Sequence, residues 1–238
     1  MKKLIMAAMA CMMLLHANAQ YADIGVHGGF GTTWLINNNI SDQGSNLDPE
    51  FSTAPVFGVH FNYSLSKHIG VGTEINYAVI NQKFKGEDAG YTWTGKDRVN
   101  YMEVPVLFRL KSSAFYCELG PKFSFLAGAK SEFKPAAGAG YTDQRAMSSY
   151  KNVVVSAVLG LGGNFQLAKG WYLNAGLRFS WGLTDATRDF SDNIALAPQN
   201  PSISSEFAHT SQSGKLDYKT TNIATGHILV GISRRFPY

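Results

Sequence analysis

The chain has 238 residues, of which 45% are hydrophobic and 16% charged, and its formal net charge is +4. The charged fraction lies well below the roughly 25% of an average globular protein, which argues against a disordered chain. The small positive excess is not clustered, which excludes a nucleic-acid-binding face, and a mean hydropathy of −0.10 excludes a bundle of membrane-spanning helices.

Residues 1–19 have the pattern of a cleaved signal peptide. Two lysines lead into an unbroken apolar run over 4–15, and 17–19 read Ala-Asn-Ala, which suits signal peptidase. The apolar run is shorter than the roughly 20 residues that a membrane-spanning helix needs. We expect cleavage after this site, which leaves 20–238 as one exported domain with 19 basic and 17 acidic residues.

The exported domain alternates apolar and polar side chains with a period of two residues. Trp171, Leu173 and Ala175 begin one such run, and a helix would scatter these positions over opposite faces. The pattern therefore predicts β-strands. We place eight of them, at 22–35, 53–65, 68–82, 98–111, 114–128, 150–167, 170–184 and 220–238.

Short and long connections alternate between the predicted strands. The short ones are tight turns at 64–67, 111–113 and 168–170. The long ones are polar and cover 36–52, 83–97, 129–149 and 185–219. An even number of strands, with turns at one end and long loops at the other, is typical of barrels in the bacterial outer membrane. The sequence thus predicts an all-β fold, an eight-stranded antiparallel up-and-down transmembrane β-barrel.

The two faces of these strands differ in a way that both membrane and soluble barrels allow. One face carries many aromatic rings and the other carries charges, and a membrane barrel turns the apolar face outward. A secreted, lipocalin-like barrel, which turns it inward, remains the alternative. The final segment, 228–238, ends in a strand with Phe236 and Tyr238 at its tip. It resembles the terminal signal read by the barrel assembly machinery, and we expect the cell outer membrane as location.

A family resemblance is carried by two of the predicted strands. Residues 101–109 read YMEVPVLFR, and 118–126 begin with Glu-Leu-Gly-Pro. Together they resemble the central signature of the outer-membrane β-barrel family often labelled porin-family or PorT-like. Members of this family are OmpA/OmpX-type eight-stranded barrels. The stretches 160–162 and 177–184 are also similar to that family. The resemblance implies a fold and a location, but no activity.

The inward-facing positions predict a network of charges inside the barrel. An eight-stranded barrel is just wide enough for its own side chains, and buried charges need partners. We expect Glu103 to oppose Arg109, and Pro105 and Pro121 to mark a bulge because proline removes a ladder donor. A ligand site at the same place is the alternative. The predicted network comprises Glu74, Tyr101, Glu103, Arg109, Glu118, Lys122 and Arg178.

No catalytic, metal or cofactor site is predicted. His27, His60 and His227 share the inward parity, but His227 lies further along its strand than the other two, so we expect isolated histidines rather than a zinc site. His209 and Ser211, with Glu206 nearby, fall in the longest loop, which does not supply the geometry of a base and a nucleophile.

The sequence favours a structural or interaction barrel with a plugged lumen and long extracellular loops. The loop 185–219 combines polar residues with apolar ones such as Phe190 and Phe207, which suits contact with an envelope or extracellular protein. Outer-membrane lipid is the other expected partner, and nucleic acid is not one. A small porin-like channel is the main alternative, followed by a lipid-modifying enzyme.

Overall fold

The computed structural model describes residues 21–41, 47–88, 91–135, 141–143, 146–188 and 219–237. The expected signal peptide and most of the loop 185–219 lie outside these ranges. Within them, no helix is long and apolar enough to cross a membrane.

The secondary structure is almost entirely β. The only helical elements in the described ranges are α1, at Asn38–Ser41, and one 3-10 turn at Ala146–Ser149. The strands are β1 Tyr21–Ile36, β2 Asp48–Glu50, β3 Thr53–Ser64, β4 Ile69–Asp88, β5 Tyr91–Ser112, β6 Phe115–Pro135, β7 Tyr141–Asp143, β8 Val153–Ala168, β9 Trp171–Gly182 and β10 Asn222–Pro237.

Eight of these strands close into a ring of antiparallel neighbours, in the order β1, β3, β4, β5, β6, β8, β9 and β10. The ring closes where β10 pairs with β1, and Tyr21 there lies opposite Pro237. The two three-residue strands stand outside the ring, β2 on β4 and β7 on β6. The predicted eight-stranded up-and-down barrel is therefore confirmed.

The outward face of the barrel is apolar. Phe179 is 69% exposed and Leu161 is 61% exposed, while the side chains at inward positions of the same strands are mostly small or polar. A soluble barrel would reverse this arrangement. The lipocalin-like alternative is therefore excluded, and the apolar band is the surface that faces lipid.

Three strands are longer than the sequence predicted. The sequence predicts loops at 83–97 and 129–149. In the structure, β4 continues to Asp88, β5 already begins at Tyr91, and β6 continues to Pro135. The period of two continues there, but its outward positions are polar: inward Phe84 is flanked by outward Lys83 and Lys85. A pattern of this kind is also typical of a polar loop, which is why the sequence predicts loops here. These extensions form a sheet that stands beyond the apolar band on the side of the long loops.

The expected bulge at the prolines is wrong in position. The register of β5 on β6 is the same before and after Pro105 and Pro121, with Pro105 opposite Lys122 and Phe108 opposite Leu119. The prolines only remove ladder bonds locally. The register shifts instead at Asn100/Tyr101, because Asn100 pairs with Gly128 and Tyr101 pairs with Leu126.

Candidate functional site

The centre of the lumen holds four charged side chains from four strands: Glu74 on β4, Arg109 on β5, Glu118 on β6 and Arg178 on β9. Arg178 binds both carboxylates, with Nη1 2.6 Å from Oε2 of Glu74 and Nη2 2.6 Å from Oε1 of Glu118. Arg109 donates from Nε to Oε2 of Glu118 at 2.9 Å. The four side chains are at most 11% exposed. This central network joins the walls of the barrel across its interior.

Small residues opposite the large charges leave the space for this network. A Cβ on Gly160 would lie 2.6 Å from Oε1 of Glu118, and one on Gly25 would lie 2.7 Å from the ring of His60. A Cβ on Gly72 would clash with Oδ1 of Asn62. Contacts this short are not compatible with the present side-chain positions. The inward glycines are therefore part of the packing of the lumen.

A second ion pair lies nearer the extracellular end. Nζ of Lys122 is 2.7 Å from Oε1 of Glu103 and donates to Oγ of Ser180 at 3.0 Å. Ser124 donates to the same Glu103 oxygen at 3.3 Å. The expected pairing of Glu103 with Arg109 is therefore wrong. Arg109 lies directly opposite Glu118 in the register, so it pairs with the Glu118 carboxylate instead.

Tyr101 faces inward but lies in an apolar environment rather than among the charges. It is 0% exposed, and its hydroxyl has no hydrogen-bond partner among the described residues. It belongs to a cluster that fills the extracellular end of the lumen, which we call the mouth cluster. Its members are Leu35, Ile40, Leu47, Ile80, Phe84, Val99, Tyr101, Ala129, Tyr150, Val154, Ala186 and Ile223.

Several members of the mouth cluster come from the connections above the barrel. Ile40, Leu47, Tyr150 and Ala186 lie outside the ring strands and are at most 2% exposed. The hydroxyl of Tyr150 donates to Oδ2 of Asp97 at 3.2 Å. Burial, with the Asp97 carboxylate nearby, raises the pKa of Tyr150 well above its ordinary value. The connections therefore cover the mouth with apolar side chains.

The periplasmic end, where the chain makes its short turns, has a different composition. The guanidinium of Arg235 lies between the rings of Tyr21 and Tyr172, 3.8 Å from each ring centre. Lys111 lies 4.7 Å from the ring centre of Tyr21 and donates to Oγ of Ser64. Cations stacked on aromatic faces are a stable arrangement at the edge of a polar interior.

The inward histidines are not all isolated, as we had expected them to be. Nδ1 of His27 lies 3.2 Å from Nδ1 of His60. Nε2 of His27 lies 3.6 Å from Glu74, and Nε2 of His60 lies 3.8 Å from Asp23. His227 is not part of this contact. Among the described residues, no three His, Cys, Asp or Glu side chains are placed to hold a metal ion.

Two small cavities lie among the described residues of the lumen. One of about 30 Å³ lies beside His27, Glu74, Arg109 and Arg178. Another, of about 10 Å³, lies towards the periplasmic end. About 10–15 Å³ is needed to hold one water molecule, and pockets for small-molecule ligands are typically about 300–1,000 Å³. Each of these two cavities therefore has room for water and not for a ligand of that size.

Uncharged polar side chains complete the lumen, and the sequence analysis did not single them out. Asn62 donates to Asp23 at 2.7 Å, and Asn76 donates to Glu74 at 3.0 Å. Asn174 donates to Asn164 at 2.7 Å. All of them have the inward parity of their strands, so parity could have found them. The residues His209, Ser211 and Glu206 lie outside the described residues.

Comparison with known proteins agrees with this architecture. The family model described as outer membrane protein beta-barrel domain matches residues 16–188. The chain therefore belongs to this family of outer-membrane β-barrel proteins, and it is located in the cell outer membrane. No curated protein matches the chain in sequence.

Solved structures with similar folds are distant in sequence. OprG from Pseudomonas aeruginosa is 10% identical with a TM-score of 0.41, covering 93% of this chain and 99% of its own. Ail of Yersinia pestis, in complex with the heparin analogue sucrose octasulfate, is 13% identical with a TM-score of 0.38, covering 90% and 99%. The outer membrane protease OmpT from Escherichia coli is 9% identical with a TM-score of 0.29, covering 92% and 97%.

Proposed function

We propose that this protein is a closed anchoring barrel, which holds an extracellular sheet and loops at the cell surface and does not conduct solutes. The central network carries this proposal. Arg178 links Glu74 on β4 to Glu118 on β6, at 2.6 Å to each, so one side chain connects three strands across the lumen. A solute passing through would have to displace it.

The balance of charge in the lumen supports the same proposal. Glu74 and Glu118 are opposed by Arg109 and Arg178, and Glu103 is opposed by Lys122. Removing one partner of a buried ion pair costs about 3–5 kcal/mol, because the remaining charge is then unpaired in a medium of low dielectric constant. A resting state with the path open is therefore unfavourable.

The mouth cluster adds a second closure of different chemistry. Its apolar side chains lie above the ion pairs, and Ile40 and Leu47 come from the first long connection. Opening this end would expose those side chains to water at a cost of about 25 cal/mol for each Å². Polar solutes would therefore meet an apolar layer before they reached the charges.

The projecting sheet supports a role at the cell surface. The extensions of β4, β5 and β6 carry ordered strands beyond the apolar band, and rigid scaffolds commonly present binding residues in this way. The proposed partner is an envelope or extracellular protein that contacts this side, including the loop 185–219. We do not propose an enzymatic activity. Insertion through the C-terminal strand by the barrel assembly machinery is part of the proposal.

Single-channel recording tests this function directly. The purified barrel is reconstituted into planar bilayers at 1 M KCl, with a known porin as positive control for the membrane. We expect no steady conductance from the wild type. Steady, large conductance steps from folded protein, identified by its faster migration on a gel before boiling, would reject the closed barrel and favour a small channel.

A further inference from the structure

The outward face of the projecting sheet is rich in basic residues just above the apolar band. Tyr77, Met102 and Phe125 face each other across β4, β5 and β6 and form the last apolar row. Four residues further along β4 and β5, and five along β6 because of its register shift, the corresponding row is Asn81, Arg98 and Lys130. At about 3.3 Å per residue along tilted strands, the basic row lies about 10 Å beyond the apolar one, and the row of Lys83 and Lys96, two residues further along, lies about 15 Å beyond it. The basic row therefore borders the lipid headgroups, and the long side chains of the next row can reach back towards them.

We define the basic face by the six outward cations of this sheet, Lys83, Lys85, Lys96, Arg98, Lys130 and Lys134. Arg98 is directed back towards the membrane, since its Nε donates to Oδ1 of Asn100, the next outward residue on that side, at 3.4 Å. Long basic side chains commonly lie in this way, with the stem on apolar surface and the charge at the interface.

Two lysines at the centre of the basic face are direct cross-strand neighbours. Lys83 on β4 lies opposite Lys96 on β5. Like charges directly opposite each other destabilise a sheet. Glu50 and Glu132 flank the pair in the register, yet neither lysine forms an ion pair within the described ranges. An anion bound between the two ammonium groups would remove this repulsion.

A groove is present at this point. It has a volume of about 180 Å³, and Lys83, Lys96 and Lys134 line it together with Glu50 and Glu132. The space suits a phosphate group, and the ammonium groups supply donors for its oxygens. Lys130, at the edge of the face, is by contrast paired with Glu132 at 3.1 Å, as Lys151 on another side of the barrel is with Asp185 at 3.0 Å.

We propose that the basic face binds the phosphate groups of lipids in the outer leaflet. The charge of the face fits an anion, and its position at the rim of the apolar band, with Arg98 directed back towards the membrane, favours a headgroup over a soluble molecule. Bound lipid then holds the projecting sheet against the membrane surface. This site lies on the outer wall, so it is independent of whether the lumen is closed.

Native mass spectrometry of the purified barrel in detergent tests the proposal. The probe is lipid A with two phosphate groups, compared with the same glycolipid after dephosphorylation. The variant Lys83→Gln/Lys96→Gln removes the central pair. The matched control, Lys67→Gln/Lys169→Gln, removes two exposed lysines from the periplasmic turns. Migration on a gel before and after boiling checks that every variant is folded.

We expect the central variant to bind the phosphorylated lipid about thirtyfold more weakly, since it removes two basic residues and each contributes roughly 1 kcal/mol near an anionic surface. The control is expected to bind like the wild type. Equal loss in both variants, or equal binding of the dephosphorylated lipid, would overturn the proposal. Displacement of the lipid by millimolar inorganic phosphate would assign the site to free phosphate, and binding of a sulfated polysaccharide alone would assign it to a soluble polyanion; either result rejects the lipid.

Discussion

Arg178 and Glu74 form a two-pronged ion pair across the lumen, although 104 residues separate them in the sequence. Nη1 of the arginine lies 2.6 Å from Oε2, and Nη2 donates to Oε1 at 2.8 Å. The parallel arrangement of two charge-assisted hydrogen bonds fixes the relative position of β9 and β4. These two strands are not neighbours in the ring, so the pair supports the barrel from within.

Removing this arginine is expected to destabilise the barrel strongly. In Arg178→Met, the carboxylates of Glu74 and Glu118 remain buried, and each loses its closest cation. We expect the free energy of unfolding to fall by about 3–5 kcal/mol, measured by urea titration of tryptophan fluorescence in lipid vesicles. Arg234→Met is the control, since Arg234 is exposed and lies over the ring of Trp171, and its effect is expected to be below about 1 kcal/mol. Similar losses in both variants would contradict the assigned role.

A double-mutant cycle separates the pairing seen in the structure from the one that the sequence suggested. Glu103 and Lys122 are in contact at 2.7 Å, so Glu103→Gln and Lys122→Met are expected to show a coupling energy above about 1 kcal/mol. For Glu103→Gln and Arg109→Met we expect additivity within about 0.5 kcal/mol. Strong coupling in the second cycle and none in the first would contradict the ion pair between Glu103 and Lys122.

Two glycines of β1 are expected to respond very differently to alanine. A Cβ on Gly31 would clash with the carbonyl oxygen of Gly226, which belongs to the backbone of β10 and cannot move freely. A Cβ on Gly28 would have only one contact, at 3.9 Å. We expect Gly31→Ala to cost more than about 2 kcal/mol and Gly28→Ala less than about 0.5 kcal/mol, by the same urea titration. An equal response would mean that β1 and β10 can separate at this position.

Deleting residues 236–238 is expected to prevent membrane insertion. Phe236 lies at the end of β10, where it pairs with Ala22 next to the closure of the ring. Cell fractionation should find the shortened chain in the periplasm, while full-length protein is found in the outer membrane. Normal insertion of the shortened chain would reject a role of the C-terminal strand in assembly.

The longest connection is expected to be dispensable for the barrel. Arg188 should be kept, because it donates to the carbonyl oxygen of Tyr150 at 2.9 Å and to Asn152 at 2.9 Å. Replacing 189–212 with a short Gly-Ser linker should leave insertion and the gel shift on boiling unchanged. Loss of insertion would make the segment structural and remove the support for a partner that binds there.

The sequence predicted the strands well because a period of two is unambiguous wherever one face meets lipid. It failed at 83–97, where the outward residues beyond the membrane are lysines rather than apolar side chains, and the same period looked like a polar loop. The alternation of apolar and polar residues correctly predicted that Glu103 and Arg109 face inward. It could not assign their partners, because those depend on the register between strands, and a one-residue shift changes every pairing.

The mouth cluster could not have been predicted by the same reasoning. Ile40, Leu47 and Ala186 come from connections, and their contacts with Tyr101 depend on how those connections fold over the barrel. The one feature of the sequence that pointed to the cluster was the presence of apolar residues within long polar segments. That signal does not distinguish a cover over the barrel from a surface that meets a partner.

The fit of inward glycines against charged side chains has a consequence for how this protein changes in evolution. A glycine such as Gly160 is replaceable only after Glu118 has become smaller, and Glu118 is replaceable only together with its arginines. Positions that face lipid have no such dependence, since one apolar side chain there serves about as well as another. Among descendants of this chain, we expect the lipid-facing residues to change quickly and independently of one another. The inward glycines and charged residues are expected to be kept together or replaced together.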